Sequence, residues 1–147
     1  MMQIRKWAKE DIFEIAKLES VCFEKGAWSE QMLEDSFCLD TFYSLLIEEK
    51  GEIFAYLGAT VTKWEGEILL VATAPSFRRR GYANKLITCF LNYAHIVGLE
   101  KVFLEVRESN FKAISLYEKM GFKQYNRRKG YYENTEDAIN MVYTVKE

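Results

Sequence analysis

Three places in this chain of 147 residues carry side chains whose types and spacing suit chemistry. The first is the run Arg78-Arg79-Arg80-Gly81-Tyr82-Ala83, which follows an apolar stretch and opens an amphipathic one. At a helix start the first backbone N–H groups lack internal partners and the macrodipole adds about half a positive charge, so a phosphate or pyrophosphate is a natural occupant, with a solvated basic turn as the alternative that the basic run alone would favour. Gly81 and the small Ala83 let a ligand approach the backbone, and three arginines add charge and bidentate donors. The run lacks both the G-K-[ST] ending of a P-loop and the G-x-G-x-x-G of a dinucleotide turn. The second place is Glu105. In Lys101–Arg107, Val102, Leu104 and Val106 share one strand face, which leaves Phe103, Glu105 and Arg107 on the other. A carboxylate flanked by apolar neighbours on an interior strand is costly unless it is paired, for instance with Arg107, or functional. The third is Tyr117, which shares a helical face with Ala113, Leu116 and Met120; spacing alone reads it as a core aromatic with a satisfied hydroxyl.

The elements that must position these residues follow from periodicity. Gln3–Trp7 is extended, and Lys9–Phe23 has helical spacing with Ile12, Ile15, Ala16 and Glu19 as a stripe. Ser29 suits the N-cap of a second helix, with Glu30 and Glu34 toward its first turns. Phe42–Glu48 and Ile53–Lys63 read as strands joined around Gly51, and Glu65-Gly66-Glu67 reads as a turn. Ile68–Thr73 is an apolar run suited to a strand buried on both faces. Ala83, Leu86, Ile87, Phe90, Leu91 and Ala94 make the clearest amphipathic helix, closing before Gly98. Ser109-Asn110 caps another helix that ends at Gly121, and Phe122–Arg128 and Ile139–Val145 complete the strands. The order is strand, two helices, three strands, helix, strand, helix, two strands. It describes an α/β domain in which the Ile68 strand, the crossover helix and the Lys101 strand form a parallel unit.

Composition sets outer bounds. The chain is 49% hydrophobic and 29% charged, and Lys+Arg 20 against Asp+Glu 22 leaves a net charge of −2, which argues against a dedicated nucleic-acid binder. No linker or repeat divides it, so one domain over residues 1–147 is expected. No apolar leader follows Met1 and no run reaches the ~20 apolar residues of a membrane span, so a cytoplasmic protein with no membrane partner is expected. Cys22, Cys38 and Cys89 are odd in number with no C-x-x-C, as expected for reduced thiols, and with His95 as the one histidine no metal site is expected.

Arg78-x-x-Gly81-x-Ala83 resembles the Q/R-x-x-G-x-G/A signature of the GNAT N-acetyltransferase superfamily. Leu104-Glu105-Val106-Arg107, Ser109-Asn110, Leu116-Tyr117-Glu118, Gly121-Phe122, Arg127-Arg128, Tyr131-Tyr132 and Glu136-Asp137-Ala138 are similar to the ribosomal-protein alanine N-acetyltransferase branch, the RimI type. The chain departs from that pattern at Ala74, where Asp is common, and at Ala27, where Pro is common. The resemblance implies a GNAT fold, with a mixed, mostly antiparallel sheet of about seven strands flanked by about four helices. It implies acetyl-CoA as co-substrate, with its pyrophosphate on the turn from Arg78, Arg79 and Arg80 through Gly81, Tyr82, Ala83 and Asn84. Val71, Ala72 and Thr73 would present backbone to the pantetheine and acetyl carbonyl, and Asn110 would contact the cofactor, a role compatible with capping. It implies Glu105 as general base and Tyr117 as the acid that protonates the leaving thiolate. Trp28, Tyr131 and Tyr132 would line a peptide groove, with ordinary packing as the alternative. The implied acceptor is the N-terminal alanine of the eighteenth small-subunit ribosomal protein, and the expected state is a monomer or weak homodimer.

The chemistry is consistent with one carboxylate. With reference pKa values of ~8 and ~10.4, about a tenth of an α-amine but only about four in ten thousand of lysine is neutral at pH 7, so an α-amine needs less help. The rival readings are a same-fold acetyltransferase for lysine, a polyamine or an antibiotic amine, and a non-catalytic acyl-CoA-binding module.

Overall fold

The computed structural model describes residues 1–145. Lys146 and Glu147, the end of the domain expected over 1–147, lie outside the described residues. The elements run β1 (Gln3–Arg5), α1 (Ile12–Cys22), α2 (Glu30–Phe37), β2 (Phe42–Glu49), β3 (Glu52–Val61), β4 (Glu65–Thr73), α3 (Tyr82–Val97), β5 (Lys101–Arg107), α4 (Phe111–Lys119), β6 (Lys123–Tyr132) and β7 (Glu136–Thr144). The strands form one seven-stranded sheet in the order β1-β2-β3-β4-β5-β7-β6. Neighbours are antiparallel except β4 and β5, which are parallel because α3 crosses between them. This is the mixed, mostly antiparallel α/β sheet with four helices that the sequence resemblance implies.

Two apolar layers hold the helices. Leu86, Ile87, Phe90, Leu91 and Ala94 of α3 and Tyr117 of α4 pack with Ile68, Val102, Leu104 and Val106 on one face of the sheet. Ile12 and Ile15 of α1 and Leu33 of α2 pack with Leu46, Tyr56, Leu70 and Ala72 on the other. Local signals agree with these boundaries. Ser29 Oγ accepts from the Met32 N–H at the start of α2, and Gly98 ends α3 in the left-handed conformation.

Two sequence expectations are corrected. Glu65-Gly66-Glu67 is not a turn but the start of β4, paired with Lys101–Phe103 of β5. Gly66 serves packing there: a Cβ at this position would lie 3.1 Å from the Phe90 ring and 3.3 Å from Leu99. The last two strands are also longer than expected. Their turn lies at Glu133 and Asn134, both at positive φ, so the usual glycine signal is missing.

A bulge in β4 matters most for function. Gly58 of β3 pairs with Leu70 but Ala59 pairs with Ile68, so Leu69 is an extra residue. The alternation inverts across it: Ile68 faces α3, whereas Leu70 and Ala72 face the α1 and α2 layer. At the same point β4 leaves β5. The parallel ladder ends at Ile68 and Leu104, although β4 continues to Thr73 beside β3 and β5 continues to Arg107 beside β7. The two strands therefore diverge and leave a gap in the middle of the sheet.

Gly58 supports the bulge, since a Cβ there would sit 2.8 Å from Phe42 Cζ and 3.3 Å from Leu70 Cγ. Gly58→Ala is expected to lower stability by about 1–3 kcal/mol in denaturant titrations, and Phe42→Leu in the same chain to recover part of that loss.

Candidate active site

The turn before α3 leaves its backbone amides without partners. Arg79 at φ 67° and Gly81 at φ 79° turn the chain sharply, and Gly81 occupies the N-cap with no side chain to satisfy the helix start. The first amide of this stretch with a backbone partner is that of Lys85, which donates to Gly81 O. Among the described residues, no hydrogen bond is donated by the amides of Arg79, Arg80, Gly81, Tyr82, Ala83 or Asn84. A Cβ at Gly81 would meet nothing within 4 Å, so the backbone there borders open space. The arginines divide their work. Arg78 turns back so that its Nε donates to Thr73 O at 3.2 Å, and Arg80 lies over the Phe77 ring at 5.5 Å. Thr73, with Val71 and Ala72, forms the diverging end of β4 beside the gap.

Glu105 stands on the opposite edge of that gap. It has left the ladder with β4 and pairs across the sheet with Asn140 of β7. Its Oε2 accepts from Asn140 Nδ2 at 2.7 Å and from Arg128 Nη1 at 3.1 Å. Oε1 accepts no hydrogen bond among the described residues, and the side chain is 20% exposed. Arg128, not Arg107, is thus the cation paired with Glu105. Beside it an open cleft of about 340 Å³ includes Glu65, Glu67, Phe103 and Tyr125. Partial burial and then the nearby Glu105 push the Glu67 carboxyl up.

Tyr117 lies on the other face, in the layer that holds Leu104 and Val106. It is 8% exposed, and burial pushes its phenol up to about 12. Its hydroxyl makes no hydrogen bond to the described residues, yet no fully buried side-chain N or O among them lacks a partner, so this oxygen reaches accessible space. A phenol in this state stays protonated near neutral pH and can donate. Glu105 and Tyr117 therefore lie on opposite faces of β5.

Two loops border the Glu105 face. Glu19 of α1, 1% exposed, accepts from Tyr56 Oη at 2.8 Å and from the Trp28 backbone N–H at 2.9 Å, which ties the loop carrying Trp28 to the core. Arg107 anchors the β6–β7 hairpin through Glu133 and Glu136 and stacks on Tyr132 at 4.0 Å. Arg128 stacks on Tyr131 at 3.7 Å, and the two tyrosine rings meet edge to face. A Cβ on Gly26 would lie 3.5 Å from Arg107 Nη2, so both loops meet at this guanidinium. Trp28 is half-buried against the α1 and α2 layer, while Tyr131 is 47% exposed. Asn110 caps α4 through Ala113 N–H. The functional neighbours not singled out from sequence are Glu19, Arg107, Arg128 and Asn140.

The model of the acetyltransferase (GNAT) family matches residues 6–122. The chain belongs to that family and is an acyltransferase. It is 35% identical over 105 residues to the [ribosomal protein bS18]-alanine N-acetyltransferase of Haemophilus ducreyi, covering 69% of this chain and 72% of that one. It is 28% identical to a putative enzyme of the same description from Bacillus subtilis, covering 98% and 96%. Among solved structures, the ribosomal-protein-S18-alanine N-acetyltransferase of Escherichia coli superposes with a TM-score of 0.92 at 25% identity, covering 100% of this chain and 96% of that one.

Burial raises the Glu19 carboxyl above its ordinary range, and the bonds from Trp28 and Tyr56 only partly oppose this. The folded protein then holds the Glu19 proton more tightly than the unfolded chain does. Wild type should lose stability relative to Glu19→Gln as pH rises above ~4.3, the usual carboxylate value, a trend that urea titrations between pH 4 and 8 would reveal.

Proposed function

We propose that this chain is an acetyl-CoA-dependent Nα-acetyltransferase whose acceptor is the N-terminal alanine of a small-subunit ribosomal protein, the eighteenth. The carrying observation is the gap between β4 and β5, with unpaired amides at one edge and the unengaged Oε1 of Glu105 at the other. The acceptor assignment is supported by relatives named for that reaction.

The residues fit the co-substrate. The free amides of 79–84 and the start of α3 suit a pyrophosphate, with Arg79 and Arg80 adding charge, and the gap is open to an extended pantetheine. Acetyl-CoA supplies the activated thioester. Val71, Ala72 and Thr73 flank the acyl end, with Arg78 fixing the Thr73 carbonyl; Asn110 borders the cofactor while capping α4. Glu105 takes a proton from the incoming ammonium, directly or through water, so that the neutral amine attacks the thioester without an acyl-enzyme. Tyr117, kept protonated by burial, donates to the departing thiolate. Trp28, Tyr131 and Tyr132 line the approach, and Glu65 and Glu67 give it a negative field that suits a cationic terminus. The reading takes 1–147 as one catalytic domain, a monomer or weak homodimer acting in the cytoplasm, with neither nucleic acid nor membrane as partner. No helix among the described residues is long and apolar enough to cross a membrane.

Glu105→Gln is expected to lower kcat by about 10²–10⁴ with acetyl-CoA affinity retained, and Tyr117→Phe to lower it by at least about tenfold. Thiol release should be fastest with alanine-initiated peptides among N-terminal peptides, lysine peptides and small amines. Tight CoA binding with no release for any acceptor would overturn the catalytic reading, and preference for a lysine or polyamine would overturn the acceptor.

A further inference from the structure

The carboxylate at the edge of the gap is held by a chain of side chains that crosses three strands. Asn140 of β7 is the cross-strand partner of Glu105 on one side and of Asn126 of β6 on the other. Asn126 Nδ2 donates to Asn140 Oδ1 at 3.2 Å, and Asn140 Nδ2 donates to Glu105 Oε2 at 2.7 Å. The register that allows this depends on a bulge: Gln124 pairs with Met141 and Asn126 with Asn140, so Tyr125 is the extra residue. Tyr125 packs edge to face on Phe103 while Asn126 reaches Asn140.

An asparagine amide has one accepting and one donating end. Because Asn126 donates to the accepting end of Asn140, the donating end faces Glu105. We propose that Asn140 is a positioning residue for the base Glu105, and that Asn126 sets its orientation. This rests on the reading of Glu105 as base. The relay ties down Oε2 and leaves Oε1 for the acceptor's proton. The other groups facing Glu105 are Arg128, Tyr125 and Tyr132 of β6, Glu67 of β4 and Arg107 on its own strand. Arg128 also donates to Oε2, but it is 49% exposed and stacked on Tyr131, whereas the Asn140 bond is shorter and lies between paired strands.

The test uses pH–rate profiles of the full chain with acetyl-CoA and an alanine-initiated peptide. Asn140→Asp places a second carboxylate against Oε2 and should move the acid limb of kcat/KM upward by at least about one pH unit, so that the loss at neutral pH is recovered at higher pH. Asn126→Asp offers only an acceptor, so Asn140 must turn its Nδ2 away and present Oδ1 to Glu105. The limb should move in the same direction by about half a unit to one unit, with the KM for acetyl-CoA unchanged. Asn126 is exposed, so this variant decides the matter if Asn140→Asp does not fold. Acid limbs identical to wild type in folded variants, with Glu105→Gln inactive, would overturn the relay and leave the base in place. A Glu105→Gln enzyme at the wild-type rate would overturn both.

Discussion

The parting of β4 from β5 is the constraint on which the rest of the structure depends. Two parallel strands begin as ladder partners over four residues of each, and then one extra residue, Leu69, bends β4 away. Apolar burial makes this tolerable. Beyond the bulge Leu70 and Ala72 sink into the α1 and α2 layer while Val71 packs toward α3, so each diverging strand keeps one neighbour and a covered surface. The facing backbone edges are what the fold leaves available. A central position in the sheet, ordinarily its most satisfied part, becomes a slot reached from both faces.

That geometry gives the two faces of β5 different surroundings. Glu105 lies on the face bordered by the Trp28 loop and the tyrosine hairpin, and Tyr117 on the face of α3 and α4. The first is held by polar donors at the sheet surface and the second is buried in an apolar layer that keeps it protonated. The loops on the Glu105 face are held from below. Glu19 takes the Trp28 amide, and Arg107 binds the hairpin while touching the Gly26 turn. The acceptor side is thus braced by one buried carboxyl and one guanidinium, neither of which needs to meet a reacting atom.

Much of this was legible in the chain because it is written in local signals. The α3 stripe, its Gly98 stop, the Ser29 and Asn110 caps and the β5 alternation all stand in the structure. The sharp turn before α3 is legible for the same reason, since strand, glycine and helix are contiguous. What stayed hidden needs register. Asn140 interrupts an apolar strand with no hint of a partner 35 residues earlier, and Arg128 pairs with Glu105 only after a bulge in β6 has fixed its face. The start of β4 was misread because Gly66 is a turn residue by type, yet here it makes room for Phe90. Arg78 was grouped with its two neighbours by charge, although a change in backbone direction sends it to Thr73.

Three carboxylates near the gap show how strongly surroundings, rather than residue type, decide what a glutamate does. Glu19 is enclosed, and burial raises its carboxyl against the two donors it accepts from, while those bonds make it a strut. Glu67 is partly buried beside another carboxylate, which pushes it the same way and leaves it as a wall of the cleft. Glu105 alone of the three meets both an amide donor and a guanidinium on one oxygen, while the other accepts no hydrogen bond among the described residues. The net charge of −2 hides this arrangement. What matters is where single charges stand: Arg78, Arg79 and Arg80 cluster at the turn before α3, while Glu105 is matched by Arg128 on the sheet face.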